Sequence, residues 1–375
     1  MTARRGFGVY VHWPFCQAKC PYCDFNSHVV DDVNQAVWAD AFESEITRVH
    51  EDMPDATLDT VFFGGGTPSL MTPDTVDRVL RKLRATWPAS NDLEITLEAN
   101  PTSVEASRFQ AYAQAGISRV SVGVQALNDD DLRRLGRLHS VSEARAALTV
   151  ANTFFDRVSF DLIYARQDQD LGAWESELAE AIELSTGHLS LYQLTIEPGT
   201  AFGARFDAGR LHGLPDEDLA ADMFALTQDM TSSAGLKSYE ISNHAKPGAE
   251  SRHNLIYWRG HDWVGVGPGA HGRFTKDVKR VATETHLSPA AWLGAVKAGN
   301  GESKRSYLSE REAFDERVMM GLRLSEGMDL PSDQNILNKI NDLVDLGLLK
   351  ISNARVATTA QGKLVLNAIL RELLA

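Results

Sequence analysis

A chain of 375 residues is too long for one ordinary core unless it folds as an α/β barrel, and its 43% hydrophobic and 23% charged residues are those of a globular protein. The net charge of −14 argues against a broad nucleic-acid surface, so no nucleic-acid partner is expected. No apolar run reaches the roughly 18 to 20 residues of a membrane span, and Trp, His and Pro interrupt the N-terminal segment where a signal peptide would be unbroken; a cytoplasmic location is the expectation.

The chain then repeats one theme, a β-branched or aromatic run followed by a turn and an amphipathic helix. Strands are predicted over Phe7–Trp13, Thr57–Gly64, Leu93–Asn100, Arg119–Ala126, Arg157–Ala165 and His188–Ile196. Helices are predicted near Val33–His50, Thr72–Trp87, Ser103–Ala115, Val141–Phe154 and Leu171–Leu184, with cap-like starts at Ser103 to Glu105 and Ser140 to Glu143. Six β/α units in a row imply a parallel sheet curved into a partial (β/α)6 barrel, spanning residues 1–238. The cysteines follow strand one, Gly64-Gly65-Gly66-Thr67-Pro68 ends strand two, Glu98 ends strand three and Gln125 ends strand four. All four fall on the C-terminal rim, where such barrels keep their active sites.

Residues 239–302 are rich in Gly and aromatics and read neither as a surface linker nor as another barrel unit. From 303 to 375 the pattern changes again: helices over Arg311–Leu324 and Ser332–Leu346, a hairpin over Leu348–Thr358 around Ser352-Asn353-Ala354, and a last helix over Thr359–Leu374. This is a winged-helix-like module. Its acidic and basic residues nearly cancel, which favours a packing or lid role over DNA binding.

All three cysteines, Cys16, Cys20 and Cys23, fall within eight residues, an odd and clustered set that suggests a metal rather than a disulfide. Three thiolates suit an iron–sulfur cluster. Zinc is the alternative, and it would have to recruit His12 or His28 as a fourth ligand. Three cysteines on a four-iron cluster leave one iron without a protein ligand, which opens a position for a substrate or cofactor.

The run Tyr10-x-His12-x-Pro14-Phe15-Cys16-x3-Cys20-Pro21-Tyr22-Cys23 resembles the radical S-adenosylmethionine (SAM) superfamily. The resemblance implies a [4Fe-4S] cluster on Cys16, Cys20 and Cys23, SAM chelated to the open iron, and cleavage of SAM to a 5′-deoxyadenosyl radical by an electron from the cluster. Further matches lead to the coproporphyrinogen dehydrogenase branch and its HemW-type haem chaperones. On that resemblance Gly65, Gly66 and Thr67 belong to the stretch whose backbone meets the SAM amino group, and Glu98, Gln125, Arg137 and Asp161 are further SAM contacts. Tyr10 and Tyr22 fall near the adenine, and Gly265-Val266-Gly267-Pro268-Gly269-Ala270-His271 can close over SAM with backbone groups. Each also has an ordinary reading, the glycines as tight turns, Arg137 and Asp161 as ion-pair partners, the tyrosines as packing at the barrel mouth.

Two departures choose within the branch. Phe25 stands where the dehydrogenase has a further Cys, and only about six residues precede strand one where the dehydrogenase has a long arm. His253-Asn254-Leu255-Ile256-Tyr257-Trp258 matches a His-Asn-x-x-Tyr-Trp motif associated with haem, which puts His253, Asn254, Tyr257 and Trp258 at a haem site with His253 as axial ligand; the ordinary reading is a hydrogen-bonded structural histidine. After strand five, Tyr164-Ala165-Arg166-Gln167 replaces the family's Tyr-Gly-Leu-Pro, so the rim there is expected to differ. The resemblance thus implies a haem chaperone with a [4Fe-4S] cluster, SAM and haem, a haem-accepting protein and an electron donor as partners, and leaves a homodimer open. The alternatives are a radical SAM enzyme acting on a porphyrinogen or as a methyltransferase, and a zinc-stabilised binding protein.

Overall fold

The computed structural model describes residues 5–30 and 32–375. Strand β1 (Phe7–Trp13) leads into the cysteine loop, which a short parallel pair, β2 (Phe15–Cys16) and β3 (His28–Val29), draws closed. There follow α1 (Gln35–His50), β4 (Leu58–Gly65), α2 (Pro73–Thr86), β5 (Ala89–Ala99), α3 (Ser103–Ala106), α4 (Phe109–Ala115), β6 (Arg119–Gln125), α5 (Asp129–Arg134), α6 (Val141–Phe154), β7 (Arg157–Tyr164), α7 (Leu171–Leu184) and β8 (His188–Gln193). Strands β1, β4, β5, β6, β7 and β8 each pair in parallel with the next, which is the expected partial barrel. Their near-continuous buried runs, Val61 and Phe63 on β4 or Phe160 and Leu162 on β7, are what a sheet covered on both faces requires.

Local chemistry explains most boundaries. Ser140 and Glu143 form a capping box at the start of α6. The helix expected over Ser103–Ala115 is instead two, α3 and α4, broken after Ala106, and Thr102 rather than Ser103 is the cap, its side chain accepting from Glu105 N. Trp38 of α1 stacks on a Trp292 ring far along the chain, centroids 5.5 Å apart and planes 6° from parallel; such pairs add about 0.5–1.5 kcal/mol beyond burial.

Beyond the six units come α8 (Ala201–Asp207), α9 (Glu217–Ser233), β9 (Lys237–Ser238), β10 (Asn243–Ala245), α10 (Arg252–Trp258), β11 (Asp262–Val266), β12 (His271–Lys276), β13 (Lys279–Thr285), α11 (Pro289–Lys297) and β14 (Glu302–Tyr307). The Gly- and aromatic-rich segment joins the barrel's own sheet. Strand β11 lies parallel to β1, Val9 opposite Val264 and Val11 opposite Val266, as a seventh parallel strand, and β12 to β14 extend that edge antiparallel. The sheet stays open, running from β14 at one end to β9 at the other.

The C-terminal module has α12 (Glu310–Gly321), β15 (Met328–Asp329), α13 (Gln334–Asp345), β16 (Leu349–Ser352), β17 (Arg355–Thr358), α14 (Ala360–Leu364) and α15 (Leu366–Leu374), with a small sheet ordered β15-β17-β16. Asn353 and Ala354 take positive φ at the tip of the expected hairpin. The module has its own apolar core, including Val318, Ile340, Leu349 and Ile369, and meets the barrel side through Lys363 Nζ on Ser238 Oγ (2.9 Å) and the Arg259–Glu326 ion pair. Among the described residues, no helix is long and apolar enough to cross a membrane.

Candidate functional site

The strand ends bring the sequence-predicted groups to one mouth. Thr67 Oγ1 donates to Cys16 Sγ at 3.4 Å and accepts from Asn100 Nδ2 at 3.3 Å. Asn100 Oδ1 accepts from Arg137, whose Nη1 donates to Cys20 Sγ at 3.5 Å and whose Nη2 also reaches Gly123 O at 2.8 Å. One arc of hydrogen bonds therefore runs from Cys16 to Cys20 through Thr67, Asn100 and Arg137. Asn100, inside Glu98-Ala99-Asn100-Pro101, escaped the sequence reading; its place two residues after Glu98 at a strand end was the available signal. Tyr22 is hydrogen-bonded with Cys20 and Arg137, and burial raises its pKa above the usual range.

Glycine is obligatory at two points of this mouth. Gly65 has φ +108°, and a Cβ there would stand 2.6 Å from the His12 ring; at Gly66 a Cβ would meet the Phe15 carbonyl at 2.7 Å. The cysteine loop and the end of β4 therefore close on each other, with Gly66 N donating to Trp13 O and Thr67 N to Phe15 O. Gln125, also at positive φ (72°), ends β6 beyond an irregularity in its pairing with β7. A non-glycine residue held in that conformation commonly marks a functional loop.

Inside the mouth lies a hollow. Tyr192 is 41% exposed, and Tyr10, Glu98 and Asp161, close enough to influence one another electrostatically, are partly accessible beside it. Burial, with the neighbouring Asp161, pushes the Glu98 carboxyl up to about 8, against a hydrogen bond from Gly65 N–H. Burial likewise pushes Asp161 up to about 6, although Ser190, Arg137 and Ser121 act the other way. Two carboxyls that resist ionising in one hollow are a receptive surface for a cation.

The cysteine chemistry fits the iron–sulfur reading. Burial raises the thiols of Cys16 and Cys23, while Thr67 O–H and the Phe25 N–H respectively favour their thiolates. Among the described residues, the buried Arg137 Nε has no hydrogen-bond partner, so this donor at the mouth is free to meet a bound group. Among the described residues, no three His, Cys, Asp or Glu side chains are grouped to hold a single metal ion, as zinc demands; a four-iron cluster makes a different demand, since its thiolates bind separate irons.

The His-Asn-x-x-Tyr-Trp residues, carried by α10, point three ways. His253 is fully buried, with Nδ1 on Thr60 Oγ1 and Nε2 on Tyr257 Oη, both at 2.7 Å, and burial lowers its pKa to about 3. Its ring packs against Tyr10 and Phe62 on the barrel strands, the three rings in mutual contact. Asn254 bonds Tyr239, and Trp258 lies under Arg323 of the C-terminal module. Both ring nitrogens of His253 are thus bonded inside the protein in this structure. At the departure after β7, Ala165 takes φ +57°, where glycine is at ease, and Arg166 is buried on Asp131 (2.9 Å) and Glu177 (2.6 Å). The reshaped rim is thus an ionic node, which the sequence did not reveal.

Residues 10–170 match the model of the radical SAM superfamily and residues 308–365 that of the HemN C-terminal domain. The chain is 37% identical to the haem chaperone HemW of Escherichia coli over 98% of both chains. It is 36% identical to the mitochondrial radical S-adenosyl methionine domain-containing protein 1 of Bos taurus, over 98% of this chain and 87% of that one. Coproporphyrinogen III oxidase (HemN) from E. coli, a radical SAM enzyme, superposes with a TM-score of 0.81 over 98% of this chain and 90% of that one; at 22% identity this likeness speaks for the fold alone. An open parallel barrel with three thiols at its mouth makes this a radical SAM protein, and within that superfamily the chain belongs to the family of the HemW haem chaperones.

Proposed function

We propose that the chain is a haem chaperone that holds one [4Fe-4S] cluster and SAM at the barrel mouth, binds haem and passes it to an acceptor protein. The observation that carries this reading is end-to-end similarity to proteins named haem chaperone, joined to Phe25 where the dehydrogenase has a further cysteine. The cluster, with SAM on its open iron, supplies one-electron chemistry when bound.

The protein's own part follows from the mouth. Cys16, Cys20 and Cys23 hold the cluster; Thr67 and Arg137 donate to two of the three sulfurs and stabilise their negative charge. Gly65 and Gly66 bring backbone close to the loop, and Glu98 presents a carboxyl for the SAM ammonium, with Asp161 and Gln125 beside it. Tyr10 and Tyr22 close the hollow and exclude water. A cysteine-held cluster calls for a reducing compartment and an electron donor, so the reading carries a cytoplasmic location with it.

The test is anaerobic reconstitution followed by two assays. Haem should bind with near one-to-one stoichiometry, and coproporphyrinogen should go undecarboxylated with cluster, SAM and reductant all present. Repeated turnover to protoporphyrinogen would overturn the chaperone reading.

A further inference from the structure

A row of polar side chains leads away from the hollow across three strands. Asp161 of β7 lies opposite Ser190 of β8, and Ser190 lies opposite Asn243 of β10. Ser190 Oγ donates to Asn243 Oδ1 at 2.9 Å, and Asn243 Nδ2 donates to Glu240 Oε1 at 2.6 Å. Glu240 Oε1 also accepts from Ser242 N at 2.9 Å, which fixes that oxygen as an acceptor. Ser190, Asn243 and Glu240 are each at most 4% exposed, and the SAM reading gives none of them a task.

The row has a direction. Because Glu240 takes an N–H, the Asn243 amide is held with its oxygen toward Ser190. A serine hydroxyl has one proton, and here it goes to Asn243. Asp161 is within hydrogen-bonding reach of the same hydroxyl, whose donation would draw its carboxyl toward the ionised form. Asn243 therefore competes with Asp161 for that proton. Asp161 is otherwise faced by Ser121 and Arg119 of β6, Arg137 after α5, Glu98 of β5 and Tyr192 of β8. Glu240 is faced by Tyr192, Tyr239 and Lys363 of the C-terminal module, whose Nζ is held on Ser238 and Ser325. Of the two carboxyls in the hollow, Asp161 takes up charge first, at about 6 against about 8 for Glu98.

We propose that Asn243, held by Glu240, is a positioning residue for SAM: by taking the Ser190 proton it withholds that proton from Asp161 and sets the acidity at which the hollow first becomes negative. SAM carries a fixed sulfonium cation, so a negative Asp161 strengthens its binding. The inference rests on the assignment of Asp161 to the SAM site above.

The experiment is calorimetric titration of SAM, without reductant, into cluster-loaded full-length protein from roughly pH 5.5 to 8. Iron, sulfide and melting curves at each pH are the controls on cluster and fold. Wild-type affinity should rise as pH climbs through about 6, and Asp161→Asn should remove that rise. Asn243→Leu frees the Ser190 proton for Asp161, so the rise should move to lower pH, with SAM bound about two- to fourfold more tightly near pH 5.5 and the gain fading toward neutrality. A gain is informative because structural damage at a buried asparagine only weakens binding. Adding Ser190→Ala to Asn243→Leu should abolish it. Should Asn243→Leu lose its cluster or its fold, Glu240→Gln carries the same prediction, since an amide at that position lets Asn243 turn. A folded, cluster-loaded variant without the gain, or a gain that survives Ser190→Ala, would overturn the inference and leave the SAM site standing. A wild-type profile with no step that Asp161→Asn removes would sink the Asp161 assignment as well.

Discussion

The cysteine mouth and the motif on α10 are both family signatures, yet they differ in how their polar atoms are satisfied. At the mouth, Arg137 Nε has no partner, and Glu98 and Asp161 sit in a hollow that keeps them from ionising readily. On α10, His253 has a partner at each ring nitrogen and no exposed surface. Unused hydrogen-bonding capacity at Arg137 Nε and full satisfaction of the His253 ring separate a group free to meet a ligand from one that ties α10 to the barrel strands, although Trp258 Nε1 on α10 is also buried without a partner among the described residues. The short pairing of β11 with β1 explains the second role: α10 leads into β11, and His253 fixes it against Thr60 of β4.

The sharpest break between the regions comes from Cys20→Ala. With no spare cysteine in the chain, it should abolish the cluster outright, as read by iron and sulfide content after anaerobic reconstitution, and Cys16→Ala and Cys23→Ala should do the same. His253→Ala should leave that content intact. It should instead lower stability by about 2–4 kcal/mol in denaturant unfolding, because Thr60 and Tyr257 lose their shared partner inside the protein. A His253→Ala protein of wild-type stability would remove the scaffold role.

Glu98→Gln tests the receptive side more gently. Loss of a charged hydrogen bond, about 1.5–3 kcal/mol, should weaken SAM binding roughly ten- to a hundredfold by calorimetry. The wild type should bind SAM more tightly as pH rises through about 8, where Glu98 ionises, and the variant should lose that dependence. In the unliganded protein the sign reverses. The folded state keeps a proton on Glu98 that the unfolded state gives up near 4.5, so stability should fall as pH rises from about 4.5 to 8, and melting curves of Glu98→Gln should be flatter over that window. The smallest effect lies outside both regions: Ala165→Gly should stabilise by about 0.5–1 kcal/mol, because φ +57° strains alanine and not glycine.

Much of the fold was legible because periodicity and caps are local. The boundaries predicted for Phe7–Trp13, Val141–Phe154 and Leu171–Leu184 are those observed. Helix α9 was missed although Asp216 caps it and Glu217 and Asp218 open it with negative charge, signals available in the sequence. The Asp131–Arg166–Glu177 node was not available, since nothing in the spacing of three charged residues says that they will be buried together.

The sequence alone determined what depends on neighbours along the chain: three thiols on one loop, glycine where β4 must close on Phe15, and the strand–helix alternation that carries polar residues to one rim. Only the tertiary structure decided what depends on residues brought from afar. It laid Asp262–Val266 beside β1, enclosed His253 between Thr60 and Tyr257, and set Glu98 against Asp161 in one hollow. Whether a histidine is a ligand or a strut is decided by its burial and by what occupies its two nitrogens, and both are properties of packing, which no local spacing encodes.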